Sequence, residues 1–112
     1  MIITKTYIKR QNVFDYMADQ KTSLPSAEAL EHCAKIACAE DKPIMMDYWL
    51  ESCTGKVMIG VRESDDKLLV RSEEEYTSPI SKIFKVKNEL IVLTENSIYI
   101  VSANIPKKKI SS

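Results

Sequence analysis

The chain has 112 residues, 45% hydrophobic and 29% charged, which is enough for one domain with its own core and argues against global disorder. Its 16 basic and 16 acidic residues cancel, so no overall field draws it to nucleic acid or an anionic membrane. No apolar run approaches the roughly 18 residues that span a bilayer, and the start, MIITKTYIKRQNVF, lacks the apolar core and small-residue cleavage site of a signal peptide.

Residues 2–9, IITKTYIK, alternate imperfectly and predict a first strand. Asn12 is the predicted N-cap of a short helix over VFDYMADQ, with Val13, Phe14 and Met17 on one side. TSLPS then breaks the chain. Either Ser23 or Ser26 caps the next helix, Ala27 to Glu40; with Ser23 as the cap, Pro25 falls in the first turn, where its missing N–H costs nothing. Leu30, Ala34, Ala37 and the cysteines line one broad apolar side of this helix, while Glu28, Glu31, Lys35 and Glu40 face water. Pro43 stops it, since the residue before a proline avoids the α region.

From there the pattern becomes strand-like. IMMDYWLES is aromatic and reads as a strand, Thr54-Gly55 as a turn, and KVMIGVRE as a strand with Val57, Ile59 and Val61 on one side. KLLVRS follows a turn at Ser64 to Asp66, and SEEEYTSP is an acidic loop. PISKIFKVKNELIVLTENSIYIVS then reads as three antiparallel strands joined at Lys87-Asn88 and Glu95-Asn96, where asparagine tolerates the left-handed backbone of tight turns. Residues 106–112 form a short basic tail after a single domain over 1–105. The predicted class is α+β: two N-terminal helices followed by an antiparallel β-meander, with a small, partly open barrel as another closure of the same strands.

With two-residue turns, Phe84, Ile91 and Ile100 align on one face of the meander, joined by Leu93, Ile98 and Val86. The other face carries Ile83, Val92 and Tyr99 in one row and Lys85, Leu90 and Val101 in the next. A free antiparallel sheet is polar on one face, so this second apolar face needs a cover. The cover is either the earlier strands of the same chain, a second copy, or a bound ligand or partner.

No motif assigns an activity. His32, Cys33, Cys38 and Cys53 are the candidate metal ligands, yet on a helix Cys33 and Cys38 diverge by roughly 140° and His32 and Cys33 by about 100°. The expectation is no metal and no cofactor, with buried, reduced thiols in a cytoplasmic protein. Asp47 with Glu51 or Glu63 forms a possible carboxylate pair, but a single histidine and no glycine-bearing oxyanion loop argue against an enzyme. Asp47-Tyr48-Trp49 contains the only tryptophan and is the candidate contact for a ligand or partner; a core tryptophan beside an exposed aspartate is the simpler reading. Lys107-Lys108-Lys109 and the acidic Ser72–Glu75 stretch are candidate charged contacts, and three lysines are too few to specify nucleic acid.

The segments EDKPIMMDYW, SEEEYTSPI and TENSIYIV resemble pieces of small uncharacterised proteins of large double-stranded DNA viruses, over roughly the C-terminal two-thirds of the chain. That resemblance implies a protein acting inside an infected cell or carried in a particle, and it transfers no site residue. The leading expectation is a non-enzymatic intracellular binding or assembly module, a homo-oligomer joined through Ile83, Leu90, Val92, Tyr99 and Val101. Two others stand beside it: a nucleotide-type small-molecule sequestering protein acting on host signalling, built around Tyr48 and Trp49, and a nucleic-acid-binding barrel that uses the basic tail.

Overall fold

A computed structural model describes residues 24–110. The strand expected over 2–9, the helix over 13–20 and the alternative cap Ser23 lie outside them.

Helix α1 (Ala27–Glu40) starts at Ser26, whose hydroxyl accepts the Ala29 N–H at 3.1 Å and donates to Glu89 Oε1 at 2.8 Å. Pro25 therefore precedes the helix instead of entering its first turn. Asp41 ends it in the left-handed conformation (φ 56°), two residues before Pro43. The apolar stripe is narrower than the sequence suggested. Ala29 and Cys33 are buried with Leu30, Ile36 and Ala37 beside them, whereas Ala34 and Cys38 face solvent.

The segment read as one strand after Pro43 divides. Ile44–Met45 is a short strand, β1, and Trp49–Cys53 is a single helical turn, α2. Five residues cannot hold a helix alone, so α2 depends on its tertiary contacts. Tyr48 and Trp49 point into different cores, and Ser52, buried, donates to the Trp49 carbonyl at 2.6 Å while accepting the Ser102 N–H at 2.9 Å. The aromatic content that suggested a strand is there to anchor this turn.

Among the described residues, seven strands form two sheets. The larger has the order β1-β6-β5-β4, from β4 (Ile80–Val86), β5 (Glu89–Thr94) and β6 (Ile98–Ser102); the smaller has the order β3-β2-β7, from β2 (Met58–Val61), β3 (Lys67–Val70) and β7 (Lys107–Lys109). The meander register is the expected one: Phe84 faces Ile91 and Ile91 faces Ile100, while Ile83 faces Val92 and Val92 faces Tyr99. In the first turn the left-handed residue is Lys87 (φ 55°), and the second is closed by Thr94 Oγ1, which accepts the Asn96 and Ser97 N–H groups.

The sheets are not purely antiparallel. β1 runs parallel to β6, and β7 parallel to β2, with Gly60 opposite Lys108. Residues 107–109, expected in a solvated tail, are thus the edge of the small sheet. The described strands form two open sheets and close no barrel.

The result is three layers. α1 covers the larger sheet on the face of Ile91, Leu93, Ile98 and Ile100, with Cys33 and Trp49 in that core. The small sheet covers the opposite face through Val57, Ile59 and Leu69, which pack with Tyr48, Val92 and Val101. A register shift between Ile80 and Lys82 puts one extra residue into β4 and turns Ile80 toward this second core.

Candidate functional site

The Asp47-Tyr48-Trp49 segment is organised by Arg71, just after β3. Arg71 donates Nη1 to the Asp47 carbonyl at 2.8 Å and Nη2 to Glu75 Oε2 at 3.0 Å, and its Nε lies 3.0 Å from Glu51 Oε1. Its guanidinium carbon sits 4.9 Å from the centre of the Tyr48 ring, which meets Tyr99 edge-on at 5.2 Å. The hydrogen bond to Glu75 holds Arg71 more firmly protonated than a free arginine. Burial, reinforced by Tyr99 and opposed by Arg71, pushes the Tyr48 phenol up to about 12. Tyr48 and Trp49 are only 5% and 6% exposed, so neither presents a face on which a ligand could stack. Asp47 is exposed and shares the Arg71 cation with Glu51.

Of the five residues placed at a subunit interface, Val92 and Val101 are fully buried, and Leu90 and Tyr99 pack on the same core. The small sheet of the same chain covers them. Val92 and Val101 are fully enclosed by this internal cover, whereas Leu90 and Tyr99 are half-buried at its margin. Ile83 differs: it is 38% exposed. On the opposite face of β4, Phe84, which the alternation placed in the core, is 42% exposed.

Width explains both. A helix with side chains is about 10 Å across and strands lie about 4.8 Å apart, so one helix covers about two strands. α1 lies over β5, β6 and β1. β4 extends past it, leaving a cleft of about 430 Å³ lined by Glu28, His32 and Ile36 from α1 and by Phe84, Val86 and Ile91 from the sheet. The Lys87–Glu28 ion pair at 3.5 Å bridges helix and strand beside it. Among the described residues the outer edge of β4 has no strand beside it.

A second concavity lies on the outer face of the small sheet, with a volume of about 650 Å³. Met58, Leu68 and Val70 form its floor, Tyr76 stands at its rim 52% exposed, and Lys56, Arg62 and Lys108 line it. Gly60 shapes the centre: a Cβ there would come within 2.8 Å of Ile110 and 3.0 Å of Val70. Sequence reading passed over Arg62, Tyr76 and Gly60 because only the β2–β7 pairing brings Lys108 and Ile110 to them. For Phe84 the sequence carried no such signal, because the α1 stripe reads as broad and proves narrow only in the fold.

His32 is exposed in the α1–β4 cleft, Cys33 is buried, and Cys38 and Cys53 are exposed and free. Burial pushes the Cys33 thiol up to about 11, so it is inert rather than nucleophilic. No group of three or more His, Cys, Asp or Glu among the described residues is placed to hold a metal ion. No helix among them is long and apolar enough to cross a membrane. Compared with known proteins, the chain matches no family model, no curated protein and no solved structure.

Proposed function

We propose that the protein is a non-enzymatic intracellular binding and assembly module that self-associates by pairing β4 with β4 of a second copy. The observation that carries this reading is the overhang of β4. Among the described residues it is an edge strand of 7 residues, with Ile83 and Phe84 exposed on opposite faces where α1 and the small sheet run out. An open edge of this kind is a template for another strand. The assembly surface expected on the meander face thus moves to the strand at its border, and Ile83 is the one residue common to both.

The sequence of β4 restricts how two copies meet. In a continuous antiparallel sheet with two-fold symmetry, residues pair with others on the same face. Registers centred on Lys82 or Lys85 put like charges directly opposite, which disfavours them. Centring on Ile83 pairs it with itself and sets Lys82 against Phe84, a cation–π arrangement; centring on Phe84 pairs Ile83 with Lys85. Both are free of lysine–lysine contacts. The exposed thiols of Cys38 and Cys53 suit a reducing compartment.

Sedimentation velocity and native mass spectrometry test the proposal. The chain is expected to form a dimer, and Ile83→Lys or Phe84→Lys, both at exposed positions, to yield a folded monomer. Each substitution places lysine opposite lysine in both registers, so both are expected to break the pairing. A monomeric parent, or dimers that survive both substitutions, would overturn the assignment.

A further inference from the structure

The groove on the outer face of the small sheet does not take part in the β4 pairing, and its charge is out of step with the rest of the molecule. In a chain whose acidic and basic residues balance at 16 each, this one concavity is lined by Lys56, Arg62, Arg71 and Lys108 against a single acid, Glu73. Arg71 is engaged by three acids, Asp47, Glu51 and Glu75, none of which lines the groove. The other three cations form no ion pair among the described residues. Set against Glu73, these three leave an excess of two positive charges among the lining side chains other than Arg71.

Below those cations the surface is apolar. Leu68 and Val70, buried, and Met58, half-buried, lie along β3 and β2, and the missing side chain of Gly60 lets Ile110 settle onto the sheet. Tyr76, bridged to Val70 through the backbone, holds its half-exposed ring at the rim. The volume of about 650 Å³ lies within the range of small-molecule sites. An apolar floor, an aromatic ring at the edge and two uncompensated positive charges are complementary to a flat, apolar body that carries a phosphate.

We propose that this groove binds a small organic phosphomonoester with a planar aromatic body, the chemistry of a nucleoside monophosphate. A phosphomonoester carries close to two negative charges at neutral pH, which matches the excess in the groove. Arg62, just after β2, and Lys108, on β7, hold the phosphate, Arg62 by a two-pronged contact. Tyr76 stacks on the ring, whose other face lies on the Met58–Val70 floor. Lys108 reaches the site only because β7 is paired with β2, so the C-terminal lysines act as part of a wall and not as a tail.

The test is isothermal titration calorimetry of the full chain at low salt, with AMP as the probe and adenosine and inorganic phosphate as its halves. AMP is expected to bind, and each half at least about tenfold more weakly. Arg62→Ala, Lys108→Ala and Tyr76→Ala should each weaken AMP about tenfold, the scale of one charge-assisted hydrogen bond or one stacked ring. Lys35→Ala, on exposed α1, should leave binding unchanged. Phosphate binding as well as AMP would reduce the site to a patch of cations, and loss of affinity in Lys35→Ala would reduce it to net charge; either overturns the proposal. So does the absence of heat with AMP, or AMP binding that survives all three groove substitutions. The β4 substitutions leave this titration unaffected, so the two proposals fail separately.

Discussion

At one edge of the four-stranded sheet, β1 is 2 residues long and the chain turns at once into α2; at the other, β4 runs for 7 residues with no strand beside it among the described residues. The first edge is closed by side chains that serve both layers. Tyr48 enters the core beneath the small sheet, Trp49 the core beneath α1, and Ser52 joins the turn to the backbone of β6. The second edge has apolar residues on both faces and full cover on neither. An equally hydrophobic composition thus makes a structural seal where consecutive residues reach two cores, and a surface where the covering layers run out.

The comparison breaks most sharply at the aromatics. Trp49→Ala is expected to lower the urea unfolding free energy by about 3–5 kcal/mol, the range for deleting a large buried aromatic, whereas Phe84→Ala should change the monomer's stability by less than about 1 kcal/mol. Equal losses would show that β4 is as well covered as β1. Ser52→Ala should cost about 1–3 kcal/mol, because it leaves the Ser102 N–H without its acceptor at a part-buried position. Urea denaturation compared with an exposed control, Ser64→Ala, isolates that loss.

A further effect is one of pH. Burial raises the Tyr48 phenol from 10.0 to about 12, favouring the neutral ring in the folded state. Its contribution is therefore complete below pH 10.0 and is lost as the pH rises toward 12, since the unfolded chain ionises first. Cys33, raised from 9.0 to about 11, acts with the same sign from a lower pH. Urea midpoints across this alkaline range should fall less steeply for Tyr48→Phe than for the parent; parallel slopes would remove Tyr48 from the seal.

The meander was legible because its signals are local. Alternation at period two and short turns fixed which residues face each other, even though the left-handed position fell to Lys87 rather than asparagine. α1 was legible for the same reason, through Ser26 and its spacing. The β1–β6 and β2–β7 pairings join segments about half the chain apart, without a turn between them to announce the contact. α2 is a single turn whose helical state comes from Trp49 and Ser52, so its aromatic content misled a local reading. Whether the second meander face met its own chain or another was beyond any window of sequence, because the answer depends on where the small sheet lands.

The parallel pairing of β7 with β2 also bears on the order in which the molecule assembles. A hairpin of two strands is marginal in water, and β2 with β3 makes only that until residues from the far end of the chain join it. Closing so long an intervening stretch costs chain entropy before any contact compensates it. Until the small sheet docks, Val92 and Val101 stand on an uncovered face of the meander. During that interval the chain carries the sticky surface that its finished state conceals.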